Sequence, residues 1–257
     1  MARRYGILYT GPGERDHLYV LRRLKAAGFS SLELSFGTAS PKAVCEAAEA
    51  AGLRIEAARL PADGANLLWD GKQVWNSLHD FYKTYFSLAA AHGIGYLIFT
   101  PSTGRNPPPV TQWGLERLEI LAEDAVRAGV GLLVENDMGK HHFEAAVRVM
   151  CRTDIHDVSF RVHSAMETYG TAVPPEFALK YITRLVLEEQ KESYGRPLFG
   201  RTDLLSAADK LLRSAAVSTL FVRRPETEGE STEAYAAAAY DTAYRFEQIL
   251  RNSEARL

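Results

Sequence analysis

Hydrophobic positions along the chain fall into two alternating patterns. Short, nearly unbroken apolar runs are separated by longer stretches in which apolar residues recur every three or four positions. Unbroken runs suit strands covered on both faces, as in a parallel sheet, and the longer spacing suits amphipathic helices. The stretch around Glu135 shows both: helix-like Leu115–Ala128 stops at Gly129, and the apolar run that follows closes on a carboxylate.

In chain order, the predicted strands are Gly6–Thr10, Ser31–Ser35, Arg54–Leu60, Tyr96–Thr100, the run into Glu135, Val158–Val162, Ile182–Glu188 and Thr219–Arg223. Helices are predicted over Arg15–Ala27, Pro41–Ala51 (capped by Ser40), Val74–His92, Leu115–Ala128, Phe143–Cys151, Leu204–Ser214 and Thr232–Arg251, with a short one before strand seven. Gly28, Gly52, Gly93 and Gly129 stop the first four, as glycine does where the chain must turn left-handed. Eight strand–helix units without a linker predict one (β/α)8 TIM barrel over residues 1–257. A doubly wound open sheet is the competing layout, but no G-x-G-x-x-G or P-loop follows any strand.

Composition narrows the class further. Thirty Lys and Arg against 32 Asp and Glu give a net charge of −2, so no global basic field points to nucleic acid. Cys45 and Cys151, the two cysteines, have no close-spaced partner and read as buried thiols in a reducing compartment. No long apolar window is present and the start of the chain carries no signal-like stretch, so a soluble cytoplasmic protein is expected.

Barrel chemistry gathers at the C-terminal strand ends. Those ends carry Glu33, Arg59, Thr100, Glu135, Arg161 with His163, Glu188 with Glu189, and Arg223 with Arg224. Neighbouring strands lie about 4.8 Å apart, so these charges can pair around the ring. They form either a polar pocket, with a carboxylate base and cations that stabilise an oxyanion, or a set of structural ion pairs. Glu135 is expected to face the barrel mouth and to bond a basic side chain of strand six or eight. His141 and His142 follow Glu135 in the chain and can reach the same face. Trp69 and Trp75 flank the third helix and either wall a pocket or pack, and Gly200-Arg201-Thr202 is a weak candidate anion turn.

Several segments resemble units of the xylose-isomerase-like barrel superfamily: Ala27–Leu34, Ala91–Phe99, Ala128–Asn136 and Pro197–Gly200. As a pattern the resemblance covers nearly the whole chain, through short motifs. Its members include sugar isomerases and epimerases, hydroxypyruvate isomerases, inosose-processing enzymes and abasic-site endonucleases. It implies the barrel fold and a divalent metal such as Mn or Zn, held by carboxylates and a histidine at the ends of strands five to eight. Only the strand-five acid carries over, as Glu135. Strand six has Arg161 where an acid is expected, with His163 out of register. Strand seven has Glu188-Glu189 without the usual histidine, strand eight ends in Arg223-Arg224, and Arg59 and Thr100 stand near the place of another histidine. No metal is therefore expected; if one binds, the residual ligands are Glu135, His163 and Glu188.

The leading expectation is an isomerase or epimerase, with a lyase as a variant. It would move a proton alpha to a carbonyl in a sugar or related polyhydroxy compound. Glu135, Glu188 and His163 form its catalytic set, and Glu33, Arg59, Arg161, Arg223 and Trp69 its substrate-binding set. In this reading Glu135 moves the proton, Glu188 is a second acid/base, and Arg161, His163 or Arg223 hold the enediolate charge. The alternative is a catalytically silent barrel that binds a small polar ligand or joins a larger assembly. The Ala/Tyr-rich segment Tyr235–Tyr240 then offers a contact face, including one for a homo-oligomer. A repair nuclease ranks third, since neither a full metal cluster nor a basic surface is evident.

Overall fold

The structure, a computed structural model, describes residues 4–9, 16–36, 41–71, 74–104, 106–136, 139–152, 158–161, 175–188, 217–224 and 229–254. Eight strands close into a barrel in chain order: β1 (Arg4–Tyr9), β2 (Ser31–Ser35), β3 (Arg54–Arg59), β4 (Tyr96–Phe99), β5 (Gly131–Glu135), β6 (Val158–Arg161), β7 (Ile182–Glu188) and β8 (Thr219–Arg223). Every pairing is parallel, and β1 joins both β2 and β8. The described helices are α1 (His17–Ala27), α2 (Pro41–Ala51), α3 (Trp75–Ala91), α4 (Gln112–Arg127), α5 (Lys140–Met150) and α6 (Thr232–Glu254). Two 3-10 segments, Ala62–Leu68 and Glu176–Tyr181, complete the described elements. The first strand begins at Arg4, two residues before its apolar run. The expected helix Leu204–Ser214, the Gly200–Thr202 turn and His163 lie outside the described residues.

Alternation along each strand sends one set of side chains outward to the helices and the other into the barrel. The outward set is almost wholly apolar. Leu32 and Leu34 share one core with Val20, Leu21 and Leu24 of α1, and Leu132 and Val134 share it with Leu118, Leu121 and Ala125 of α4. Burying such a leucine stabilises by roughly 1.5–3 kcal/mol, so this shell is the main source of stability. Inside the barrel only a small apolar plug forms, from Ala57, Ile98 and Leu133 with Tyr96 against it. Most of the remaining inward positions are polar.

Local chemistry sets the element ends. The Asp16 side chain accepts from the Leu18 N–H at the start of α1, and Thr111 accepts from the Gly114 N–H at the start of α4, satisfying donors that a helix leaves open. Among the described residues no helix is long and apolar enough to cross a membrane. Cys45 and Cys151 are free thiols. Both are partly exposed rather than buried, because each sits on a helix flank at the edge of the core.

Gly28 ends α1 with φ 114° and faces Tyr240 of α6. A Cβ there would lie 2.4 Å from the tyrosine ring, which packs edge-on against Tyr5 and Phe29. Gly28→Ala should therefore destabilise the fold by more than about 1 kcal/mol, through backbone strain and displacement of the ring. Urea denaturation would show it, and an unchanged midpoint would refute this account of the α1–α6 corner.

Candidate active site

Inward-pointing charges from six strands meet inside the barrel. On β2 and β3 the register shifts between Leu32 and Glu33, so that Glu33 pairs with Ala57 and Ser35 with Arg59. Glu56 is the residue passed over, and it is held apart near the start of the strands, 3.5 Å from Arg4 and 3.2 Å from Thr219 Oγ1. The shift leaves Glu33 and Arg59 both facing inward. Arg59 donates to Glu33 Oε1 from Nε (3.0 Å) and Nη2 (2.7 Å). The same Nη2 lies 2.7 Å from Glu135 Oε1, so one guanidinium bridges two carboxylates on β2 and β5.

Glu135 is fully buried. Its other oxygen accepts a 2.7 Å hydrogen bond from Ser159 Oγ, its register partner on β6. It faces the barrel interior as expected, but its shortest ion pair is with Arg59 of β3; Arg161 of β6 is farther, with Nε at 3.8 Å. A long guanidinium arm reaches across the interior from β3, beyond the plug that Ile98 and Tyr96 of β4 help to form, to β5. Arg161 is instead drawn to Glu188 on β7, to which it donates from Nε (2.9 Å) and Nη2. Asn136 locks the β5–β6 end: its Oδ1 accepts from the Arg161 N–H at 2.6 Å and its Nδ2 donates to the Arg161 carbonyl at 3.0 Å.

Deeper on β7, Arg184 donates through Nη2 to Glu33 Oε2. Its guanidinium lies 3.4 Å from the centroid of the Phe221 ring. Gly6 makes room for that ring, since a Cβ there would sit 2.3 Å from it. Burial pushes the Arg184 pKa down to about 9. This remains above neutrality, and the Glu33 contact favours the charged form further. For Arg161, burial opposes the charge, but Glu188 and Glu135 outweigh it and raise the pKa. Arg223 at the end of β8 is the reverse case. Burial, then Arg161 and Arg59, lower its pKa against the weaker pull of Glu188 and Glu135. It makes one ion pair among the described residues, with Glu188 Oε1 at 3.6 Å, and its side chain is 38% exposed.

Five of the anticipated residues thus form one connected cluster, Glu33, Arg59, Glu135, Arg161 and Glu188, with Arg223 at its edge. Trp69 lies elsewhere. It is buried, donates from Nε1 to the Pro101 carbonyl at 2.6 Å, and its own carbonyl accepts from Thr111 and Trp113. These bonds tie the loops after β3 and β4 to α4, a packing task. His142 is turned the same way: its Nε2 is 2.6 Å from the Pro108 carbonyl, and burial lowers its pKa. His141 is exposed, and Trp75 stacks on His79. Ser159, Arg184 and Asn136 were not anticipated in these roles. Two of them share parity with a charged neighbour, Ser159 with Arg161 and Arg184 with Glu188, and that alternation is the signal that marks them.

No family model matches the chain, and no curated protein matches it in sequence. Solved structures do match in shape. An L-ribulose 3-epimerase superposes with a TM-score of 0.72 at 16% identity, over 100% of this chain and 97% of that one. A sugar phosphate isomerase/epimerase from Parabacteroides distasonis gives 0.65 at 16%, over 96% of each. A xylose isomerase-like TIM barrel/4-hydroxyphenylpyruvate dioxygenase fusion protein gives 0.71 at 14%, over 98% of this chain and 45% of that one. The chain has the fold of the xylose-isomerase-like barrels.

The divalent ion that this resemblance implies does not fit the described residues. Such an ion needs converging oxygen or imidazole ligands with net negative charge. Here Glu135 is held by Arg59 and Ser159, Glu188 by Arg161, and strands six and eight end in guanidiniums, which cannot coordinate. Among the described residues no three His, Cys, Asp or Glu side chains converge as a metal site. The residual set Glu135, His163 and Glu188 includes one residue beyond those described.

The deepest pair yields a stability test. Glu33→Ala should cost about 3–5 kcal/mol, because it strands Arg184 and half-strands Arg59 in the barrel interior. Replacing Glu33 and Arg184 together by methionine should recover much of that loss. Chemical denaturation of the single and double variants measures both. A single-variant cost below about 1 kcal/mol would mean that the pair carries no structural load.

Proposed function

We propose that this barrel is an isomerase or epimerase of small hydroxy-carbonyl compounds of the sugar type, using carboxylate and guanidinium groups in place of a divalent metal. One observation carries the reading. At the catalytic end of the barrel, Glu188 and Glu135 stand 2.9 and 3.8 Å from the Nε of a single arginine, Arg161. Two carboxylates and an intervening cation are the parts that an enediolate route requires. The L-ribulose 3-epimerase and the sugar phosphate isomerase/epimerase that share the fold supply the reaction class.

Glu188 lies nearer the mouth than Glu135 and is the carboxylate that takes the proton from the carbon alpha to the carbonyl. The C–H electron pair forms the C=C bond, and the carbonyl pair moves onto oxygen. As the proton moves, Arg161 shifts its hydrogen bonds from Glu188 to the developing oxyanion. The exchange stabilises the enediolate and removes the countercharge from Glu188, raising its basicity at the moment it is used. Glu135 is the deeper carboxylate and positions Arg59 and Arg161. This assigns the proton to Glu188, where the sequence expectation assigned it to Glu135. Return of the proton from Glu188 to the neighbouring carbon, with that carbon's hydroxyl proton passing to the first oxygen, gives an isomer; a proton delivered from solvent on the opposite face gives an epimer.

A second reading, a silent barrel that binds a small polar ligand, is favoured by the ion pairing of every carboxylate in the cluster. Deuterium wash-in from solvent at the alpha carbon of ketose probes, followed by NMR, separates the two. Glu188→Gln should slow exchange by about a hundredfold or more, the scale of general acid–base catalysis, with the melting curve as a control on folding. Exchange in the parent protein should persist in excess chelator. Unchanged exchange in Glu188→Gln would remove Glu188 from the mechanism. No exchange with any ketose or keto acid would leave the silent barrel, and loss of exchange on chelation would restore a metal.

A further inference from the structure

Arg184 is a costly side chain to bury. It is 2% exposed, and its guanidinium lies against the face of the Phe221 ring. Among the described residues neither its Nε nor its Nη1 has a hydrogen-bond partner. A buried charged donor left unmet works against stability, so packing alone does not explain an arginine here. Its one hydrogen bond among the described residues runs from Nη2 to Glu33 Oε2.

That bond decides how Arg59 can hold the same carboxylate. A guanidinium beside a free carboxylate takes both oxygens through two parallel N–H bonds. Arg59 does not: its Nε and Nη2 both donate to Oε1, at 3.0 and 2.7 Å. Oε2 is the oxygen that Arg184 occupies. Held at one oxygen only, Arg59 also keeps its Nη2 2.7 Å from Glu135 Oε1, across the barrel on β5.

We infer that Arg184 is a positioning residue: by occupying Glu33 Oε2 it denies Arg59 a two-oxygen grip on Glu33 and so keeps Arg59 on Glu135. Its effect reaches the site through Glu33 and Arg59. Without it, Arg59 turns toward β2 to take both Glu33 oxygens, and Glu135 loses its shortest ion pair. This geometric step needs no chemistry. Its consequence for turnover rests on the proton-transfer reading above, in which Glu135 positions Arg59 and Arg161.

Crystal structures of Arg184→Met and Arg184→Lys test the geometry, with denaturation curves as a check on folding. In Arg184→Met the contact between Arg59 Nη2 and Glu135 Oε1 should lengthen beyond about 3.5 Å, out of hydrogen-bond range. Adding Glu33→Gln to Arg184→Met should restore the contact, because an amide offers one acceptor oxygen. In Arg184→Lys, an ammonium that reaches Oε2 should leave Arg59 in place, and one that falls short should release it as methionine does. Should the methionine variant not fold, the lysine variant decides alone. An unchanged contact where Oε2 is left free, or a lost contact where the ammonium reaches it, would overturn the inference. Deuterium wash-in with ketose probes reads the consequence. Arg184→Met should lower kcat by about tenfold to a hundredfold with KM little changed, the scale of a misplacement of about 1 Å. Full turnover with Arg59 displaced would overturn the positioning role. No exchange in the parent protein would end the proton-transfer reading instead, and the crystallographic contact would still decide whether Arg184 places Arg59.

Discussion

The Arg59 guanidinium, held between Glu33 and Glu135, is the constraint on which the barrel interior depends. Three charges from β2, β3 and β5, the two carboxylates buried and the guanidinium nearly so, meet within 2.7 Å contacts. Each alone would cost several kcal/mol to remove from water. Together they are tolerable only if the strands hold their register to within a fraction of an ångström. The β2–β3 shift at Glu33 is what brings the first two into line. Through Glu33 the same network reaches Arg184 and Phe221, and through Glu135 it reaches Ser159 and Arg161. The apolar outer shell supplies most of the stability, while the inner charges are satisfied only in the observed register.

That division explains which features could be read from the chain. Strand–helix rhythm is local: apolar runs such as Leu132–Val134 and stops such as Gly28 act within a few residues. The outward faces of the strands follow from it directly. Inward contacts are not local. Reasoning from strands about 4.8 Å apart led to partners for Glu135 on strand six or eight. In a closed barrel, however, an arginine side chain spans the interior, and Arg59 reaches Glu135 from two strands away. Arg184 lies mid-strand, two alternations below Glu188, where no strand-end position marks it. Trp69 is conspicuous in sequence as an aromatic beside a loop, yet its indole N–H is committed to Pro101, a bond that no spacing reveals.

Guanidiniums hold carboxylates differently from a divalent ion. A metal fixes its ligands by coordination and holds them deprotonated. A guanidinium fixes them by hydrogen bonds that break and re-form singly, which is what the exchange proposed for Arg161 and Glu188 requires. The cost is geometric. Arginine needs support along its whole length, and the structure provides it: Asn136 grips the Arg161 backbone from both sides, and the Phe221 ring, seated against Gly6, carries Arg184.

Exposure along the network shows where its chemistry belongs. Glu33, Arg184 and Glu135 are almost wholly removed from solvent, Glu188 retains 8% of its surface, and the Arg223 side chain 38%. Closely paired charges lie deep, where an unpaired one would cost most, and Arg223, with its longer 3.6 Å ion pair, lies where water can reach it. A surplus placed at the level of Arg184 would unfold the barrel or shed its proton. The network is therefore graded: its closest ion pairs are its most deeply buried, and its longest one faces solvent.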